Sequence, residues 1–354
     1  MAIKPAQLQT SYAQQLTFYD TPLQRVVVLV GVVLLLLWPL QTGTRVLGLI
    51  CTIMLAIPSA HALNLLTGVA GLVSLGNAAF LAIGAFTAAA LGSVNDLPFL
   101  PVVLISAVVA AAAGAIVGIP ALRLRGLYLV VATMALHFIV IYAARRFQVP
   151  RVGAAGFRMP RPELFGQQMD QRKWYVVLTV IAVLSTVAFV NLKRSRFGRA
   201  WNMIRERDIA AEILGVNVPR YKILAFTLSS AMIGFQGAIF AYYLRTVEME
   251  TFNLNLAIDY VAIIIIGGLG SVHGAIFGAI LVYGVPFYVS QLSGSLPRDS
   301  WLNELLGADI FNVNRIIYGL AIIGFLLFEP AGLAAIWARV RTWFSLWPFT
   351  RERR

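Results

Sequence analysis

Acidic residues are scarce in this chain: of 354 residues only 15 are Asp or Glu, against 28 Lys or Arg, and charged residues make up 12% of the total. Soluble domains carry about 25% charged residues, so a chain this thinly charged is not a water-soluble globule. Asp259 is the main carboxylate inside an apolar run. Carriers driven by protons or sodium commonly place carboxylates at membrane depth, and the shortage argues against that class. The lone cysteine, Cys51, excludes an intrachain disulfide and speaks against thiolate metal ligation. His61, His137 and His273 show no HxxxH or HExxH spacing, so no metal site is expected. Lys4, Lys173, Lys193 and Lys222 are the only lysines, and none follows a glycine. The chain therefore lacks GxxxxGK[ST] and cannot hold ATP in a P-loop. It also lacks a GxSxG elbow, and no cluster of His, Asp or Glu marks a membrane-edge enzyme.

What is present is apolar. Hydrophobic residues make up 59% of the chain, and the mean hydropathy is +0.80. About 20 such residues span a bilayer as a helix. Spans are expected near 25–40, 45–64, 68–92, 98–119, 126–144, 174–192, 222–247, 257–270, 271–292 and 314–328. The fold class is thus an all-α, polytopic membrane protein of about ten helices. The expected division is an N-terminal cytoplasmic segment 1–24, a membrane domain 25–328 and a basic, Trp-rich cytoplasmic tail 329–354. No small-residue cleavage site follows the first apolar run, so the N-terminus is expected to stay.

The net charge of +13 does not imply nucleic acid, because the cations lie in short segments beside apolar runs, where they set orientation. The Arg123/Arg125 turn, the segment 193–222 and the tail with Arg339, Arg341, Arg351, Arg353 and Arg354 are placed inside. Glu248, Glu250, Asp299, Glu304 and Asp309 then fall outside, and both termini are cytoplasmic. Residues 145–173 conflict with this. They are strongly basic, yet alternation puts them outside, and the agreement of the later segments is taken to override them.

Asn64 to Gly92 is rich in glycine and carries Asn64, Ser74 and Asn77. Glycines allow close approach or unwinding, and neutral polar groups need partners that lipid cannot give, as in a helix lining a solute path. Asn64, Ser74 and Asn77, with Thr133 and Gln236, are the candidate path residues. Gly71 to Phe80 (GLVSLGNAAF) matches Gly268 to Phe277 (GLGSVHGAIF) without gaps at five positions. Two readings fit: an internal repeat flanking the path, or chance identity of Gly/Ala-rich membrane sequence. Gly114/Gly118 and Gly270/Gly274/Gly278 fall at four-residue spacing and are expected to form helix-packing faces.

The hydrophilic stretch Lys193 to Lys222 is out of keeping with its surroundings. Ser195 can cap a helix from Arg196. Ile209, Ala210, Ile213 and Leu214 recur at helical spacing, Gly215 supplies a stop, and Pro219 blocks continuation. One or two short amphipathic helices result, suited to a groove on a partner or to lying flat on anionic lipid.

Several segments in order carry a family resemblance: Asn64 to Phe86, RLRGLYLVVAT at 123–133, SRFGRAWNMIRERDIAAEILGVNVPRYKILAF at 195–226, Gly267 to Gly278, and FEPAGL at 328–333. Together they resemble the longer permease subunit of branched-chain amino acid ABC importers, a family that also includes importers of urea and short amides. The resemblance implies alternating access driven by partner subunits. It implies that Arg205 to Gly215, including Glu206, Asp208 and Glu212, contacts an ATPase. The implied partners are a second related permease, two ATPases carrying ATP and Mg, and an extracytoplasmic solute-binding protein, all at a bacterial cytoplasmic membrane. No cofactor is implied in the chain itself. The chain departs from the family at Asn77, where His is frequent, and in the basic PRVGAAGFRMPRP around Gly153 and Gly156. A self-sufficient carrier or channel, and a membrane enzyme acting on lipid-linked substrate, are the rival classes.

Overall fold

A computed structural model describes residues 43–124, 126–164, 167–295, 319–320, 323–324, 327, 329 and 331–346. The segment 1–24, the span expected at 25–40, most of that expected at 314–328, and Arg125 lie outside the described residues. The chain divides into residues 1–47 and 48–354. In the first part the described residues form the opening turn of a helix, with Leu47 N–H donating to Gly43 O at 3.0 Å. The packing below concerns the second.

Among the described residues, seven helices are long and apolar enough to cross a membrane, and a shorter apolar one accompanies them. Helix α1 (Thr44–Asn64) runs on through a π-helical turn, Leu65–Val69. Then come α2 (Asn77–Ala88), extended by the π-helical stretch Ala89–Val94, α3 (Phe99–Ala121) and α4 (Leu127–Val152). Three two-residue strands follow: β1 (Phe157–Arg158), β2 (Glu163–Leu164) and β3 (Gln167–Gln168). The second half holds α5 (Gln171–Arg194), α6 (Arg196–Glu206), α7 (Asp208–Ile213), α8 (Val218–Leu244) and β4 (Thr246–Val247). It ends with α9 (Leu254–Gly267), α10 (Val272–Ser295) and α11 (Gly332–Leu346). The architecture is helical and polytopic, with the strands confined to two short antiparallel pairs.

The run expected as one span at 68–92 is broken. Ala70 to Gly76 is irregular, and α2 begins only at Asn77. Gly71 has φ +73°, a conformation glycine adopts without a Cβ penalty. Ser74 Oγ accepts from Gly76 N–H at 3.1 Å and so satisfies a backbone donor just ahead of the new helix. Helix α9 has 14 residues; at 1.5 Å per residue it is about 21 Å long, short of the roughly 30 Å hydrocarbon core.

Helix α8 packs along α2 and α3. Glycines make the seam: a β-carbon on Gly84 would meet the Gly234 carbonyl, on Gly237 the Leu81 carbonyl, and on Gly114 the Ser230 side chain. Gly118 likewise faces Ile223, where an added β-carbon would lie 3.2 Å from the Ile223 Cα. Backbones that approach this closely gain dispersion contacts that lipid tails cannot outcompete. Gly274 and Gly278 sit against Gly267 and Ile263 of α9. Gly270 does not share their face: with φ +73° it lies in the turn before α10, because the preceding helix has already stopped at Gly267. The outer faces of α3 and α4 expose Val108, Ile116 and Ile139 at 64–68%, as lipid-facing helices do.

The two ends of the bundle follow from helix direction. Phe157 pairs with Val247 and Arg158 with Thr246, Ser93 Oγ donates to Arg158 O at 2.9 Å, and Met249 N–H donates to Gln148 Oε1 at 2.9 Å. The basic segment 145–173 and the acidic segment around Glu248 therefore share one end. Helices α5 and α8 carry the chain to and from the other, where residues 195–217 lie.

Candidate functional site

The hydrophilic segment builds its own geometry. Ser195 Oγ accepts from Phe197 N–H at 3.1 Å and Gly198 N–H at 3.4 Å and starts α6. Trp201 is fully buried and its Nε1–H donates to Tyr221 O at 2.8 Å, so α6 is pinned to the start of α8. Trp201, Ile204 and Ala211 join Leu65, Leu66, Val69 and Phe226 in one apolar core. Arg205 to Gly215 is not one helix: Arg207 is extended (φ −155°, ψ 114°), so Arg205 and Glu206 finish α6 and α7 starts afresh at Asp208. Periodicity alone leaves one helix or two open, and the extended Arg207 decides for two.

Helix α7 is fixed at both ends. At its start, Asp208 Oδ2 accepts from Lys222 Nζ at 2.7 Å, with the Lys222 side chain 7% exposed. At its end, Gly215 (φ +84°) donates to Glu212 O at 2.9 Å and Val216 N–H to Ala211 O at 3.0 Å. These are the paired bonds of a Schellman stop. Asn217 Oδ1 then accepts from Arg220 N–H at 3.2 Å, and Pro219 opens the first turn of α8. Between these locks Ile209, Ile213 and Leu214 are 69–80% exposed. A cleft of about 550 Å³ lies beside them, lined by Gly71, Leu72, Leu124, Gly126, Arg205 and Ala210 among others. Glu206 and Glu212 are exposed, and the space around Gly215 is open.

Arg205 is exposed over part of its length, yet its head group reaches back to the bundle. Its guanidinium donates to the Gly68 carbonyl in the π-helical turn. The turn before α10 is tied in beside it: Gly270 N–H donates to Asn64 Oδ1 at 2.7 Å, Asn64 Nδ2 to Ser271 O at 2.8 Å, and Lys193 Nζ to Gly270 O at 2.5 Å. Asn64, seven residues ahead of the first matching segment, is thus bonded to the second, and the two segments share a local device. Gly71 and Gly268 both have positive φ, and Ser74 and Ser271 both accept a backbone N–H ahead of the next helix. Gly332 (φ +70°), which opens α11, closes over Gly268.

Deeper in the bundle, Asn77 and Gln236 belong to a neutral polar cluster. Ser59 Oγ donates to Asn77 Oδ1 at 3.2 Å, Gln236 Nε2 donates to Tyr260 Oη at 3.0 Å, and the Tyr260 hydroxyl also lies near those of Tyr283 and Ser59. All but Tyr283 are at most 2% exposed. Among the described residues, Asn77 Nδ2 and Gln236 Oε1 have no partner, leaving one buried donor and one buried acceptor open. Thr133 Oγ1 accepts from Leu75 N–H at 3.0 Å and, like Ser74, serves the broken segment. Thus Asn77 and Gln236 share one cluster, while Asn64, Ser74 and Thr133 hold backbone. Ser59 and Tyr260 were not singled out from sequence; each is an ordinary residue in an apolar run. No group of three His, Cys, Asp or Glu residues that could hold a metal occurs among the described residues.

Known proteins agree with this picture. The chain matches the family described as branched-chain amino acid transport system, permease component, over residues 44–328. It is 32% identical over 288 residues to the high-affinity branched-chain amino acid transport system permease protein LivM of Escherichia coli, covering 74% of this chain and 68% of that protein. It is 24% identical to the probable branched-chain amino acid transport permease protein LivH of Methanocaldococcus jannaschii, over 61% of this chain and 67% of that one. It is 27% identical to the ribose import permease protein RbsC of Bacillus subtilis, over 33% and 39%. No solved structure matches. The chain is a membrane permease and belongs to the branched-chain amino acid transport system permease family.

Proposed function

We propose that this permease carries branched-chain amino acids into a bacterial cell as one subunit of an ATP-driven importer, with α6 and α7 on the cytoplasmic side. Its partners are a second related permease, two ATPases that bind ATP and Mg, and an extracytoplasmic binding protein. The observation that carries the coupling role is α7: a short helix locked at Asp208 and at Gly215 presents Ile209, Ile213 and Leu214 to the outside. Exposing that much apolar surface on a rigid element costs solvation free energy that a partner groove would recover. The solute is supported by the relatives, LivM and LivH, which are branched-chain amino acid transport permeases. The path runs past Asn77 and Gln236, whose open donor and acceptor suit a neutral or zwitterionic solute, and closure of the ATPases moves the loop and switches the path between faces.

The test is reconstitution in proteoliposomes. Permease alone should neither hydrolyse ATP nor pass leucine down a gradient; with both ATPases, the second permease and the binding protein, leucine uptake should require ATP. Rapid leucine flux through the lone chain would overturn the proposal in favour of a self-sufficient carrier.

A further inference from the structure

We propose that Arg205 is the positioning residue that transmits movement of the α6–α7 loop into the membrane, by holding the carbonyl of Gly68 and so setting the conformation of both helix breaks. This rests on the coupling role proposed for α7. The physical case starts from orphan backbone groups. A helix end leaves carbonyls without intrahelical partners, and beyond the π-helical turn the backbone bonds run from Ala70 N–H to Leu65 O (3.0 Å) and from Leu72 N–H to Leu66 O (2.9 Å), neither of them to Gly68 O. Gly68 O is taken by Arg205, a residue 137 positions away.

The lane for that side chain is made by glycines. A β-carbon on Gly71 would come within 2.8 Å of Arg205 Cγ, and one on Gly270 within 3.5 Å of Arg205 Nη1. Arg205 therefore lies against both breaks at once. These breaks are also joined to each other, since Asn64 bonds both Gly270 and Ser271, and Gly68 packs on the Gly270 backbone. Displacing α6 withdraws the guanidinium from the Gly68 carbonyl it holds. The break must then rearrange, and both Asn77 at the head of α2 and the head of α10 are attached to it. Arg205 does not hold α6 in place: Trp201 and Ile204 do that through burial. The side chain can therefore act as a link without being the anchor.

The complete assembly is reconstituted with wild-type chain or with Arg205→Ala, Arg205→Gln or Arg205→Lys. Arg205→Ala should insert and still co-purify the ATPases. ATP-driven leucine uptake should fall about tenfold or more, the loss expected when a hydrogen bond to a charged group is removed from one of two states. Arg205→Lys should restore part of the uptake, and Arg205→Gln substitutes if the alanine variant fails to insert. As a second readout, a thiol reagent should label Thr67→Cys in a Cys51→Ala background differently with and without ATP. That difference should vanish when Arg205→Ala is added. Unchanged uptake and unchanged ATP-dependent labelling in Arg205→Ala would overturn the link, and so would loss of ATPase co-purification, which would make Arg205 a docking residue. The α7 variant Gly215→Val is run beside them. If it leaves coupling intact, the coupling role fails and the link fails with it; if only the Arg205 variants behave as wild type, the coupling role stands and the link alone is wrong.

Discussion

Helices α6 and α7 are neighbours in sequence and opposites in the fold. The first anchors in the bundle: Trp201 and Ile204 are buried, and the part-exposed Arg205 reaches the Gly68 carbonyl. The second turns Ile209, Ile213 and Leu214 outward and buries only Ala211. One extended residue, Arg207, separates them. The contrast shows how a membrane protein can carry a rigid outward-facing element: one helix anchors in the bundle, and the next is fixed by one buried alanine, a C-terminal stop and one ion pair, which leaves its face for another molecule.

The largest effect should come from removing the anchor. Trp201→Ala deletes a fully buried indole and its bond to Tyr221 O, and aromatic-to-alanine changes in cores cost about 3–5 kcal/mol. A fall in thermal stability in detergent and in the yield of inserted protein is expected; wild-type melting would show that α6 is not the anchored partner. Next is Asp208→Asn, which leaves the nearly buried Lys222 without its counterion. Because Asp208 is partly exposed the cost should be about 1–3 kcal/mol, below that of a fully buried pair. The double variant Asp208→Asn/Lys222→Met should recover much of that stability.

Gly215→Val acts on backbone alone, since nothing lies within 4 Å of the added β-carbon while φ is +84°. The left-handed conformation costs a side-chain-bearing residue roughly 1–2 kcal/mol, so the stop should shift. Inserted protein should survive, with ATPase co-purification and solute-stimulated hydrolysis reduced. Ile213→Asp separates docking from folding most cleanly. Its side chain is 80% exposed, so stability should stay within about 0.5 kcal/mol of wild type while co-purification falls; equal binding would remove α7 from the interface. Smallest of all, reversing Glu206 or Glu212 should weaken docking by roughly 0–1 kcal/mol, measured as a salt-sensitive loss of ATPase binding.

Much of this protein is legible without coordinates, because hydrophobic length and turn chemistry are local properties. Apolar runs give the spans, Ser195 gives the start of α6, Gly215 gives the stop of α7, and the scarcity of carboxylates and lysines excludes rival classes. What the sequence leaves unread depends on partners far along the chain. The same Gly-rich run that reads as one helix at 68–92 breaks at 70–76, since Gly71 and Gly76 permit the turn but the decision lies with Thr133 and Arg205, which supply bonds from other helices. Gly270 looks like one more small residue on a packing face until Asn64 and Lys193 take its backbone N–H and C=O. Arg205 and Glu212 look alike as surface charges and both stay exposed, and only the fold brings the Arg205 guanidinium against a backbone carbonyl. Composition and spacing determine which segments enter the membrane, because transfer from water is set residue by residue. Tertiary structure decides where helices break and which polar atoms stay open, because in a bilayer each backbone group must find its partner within the protein.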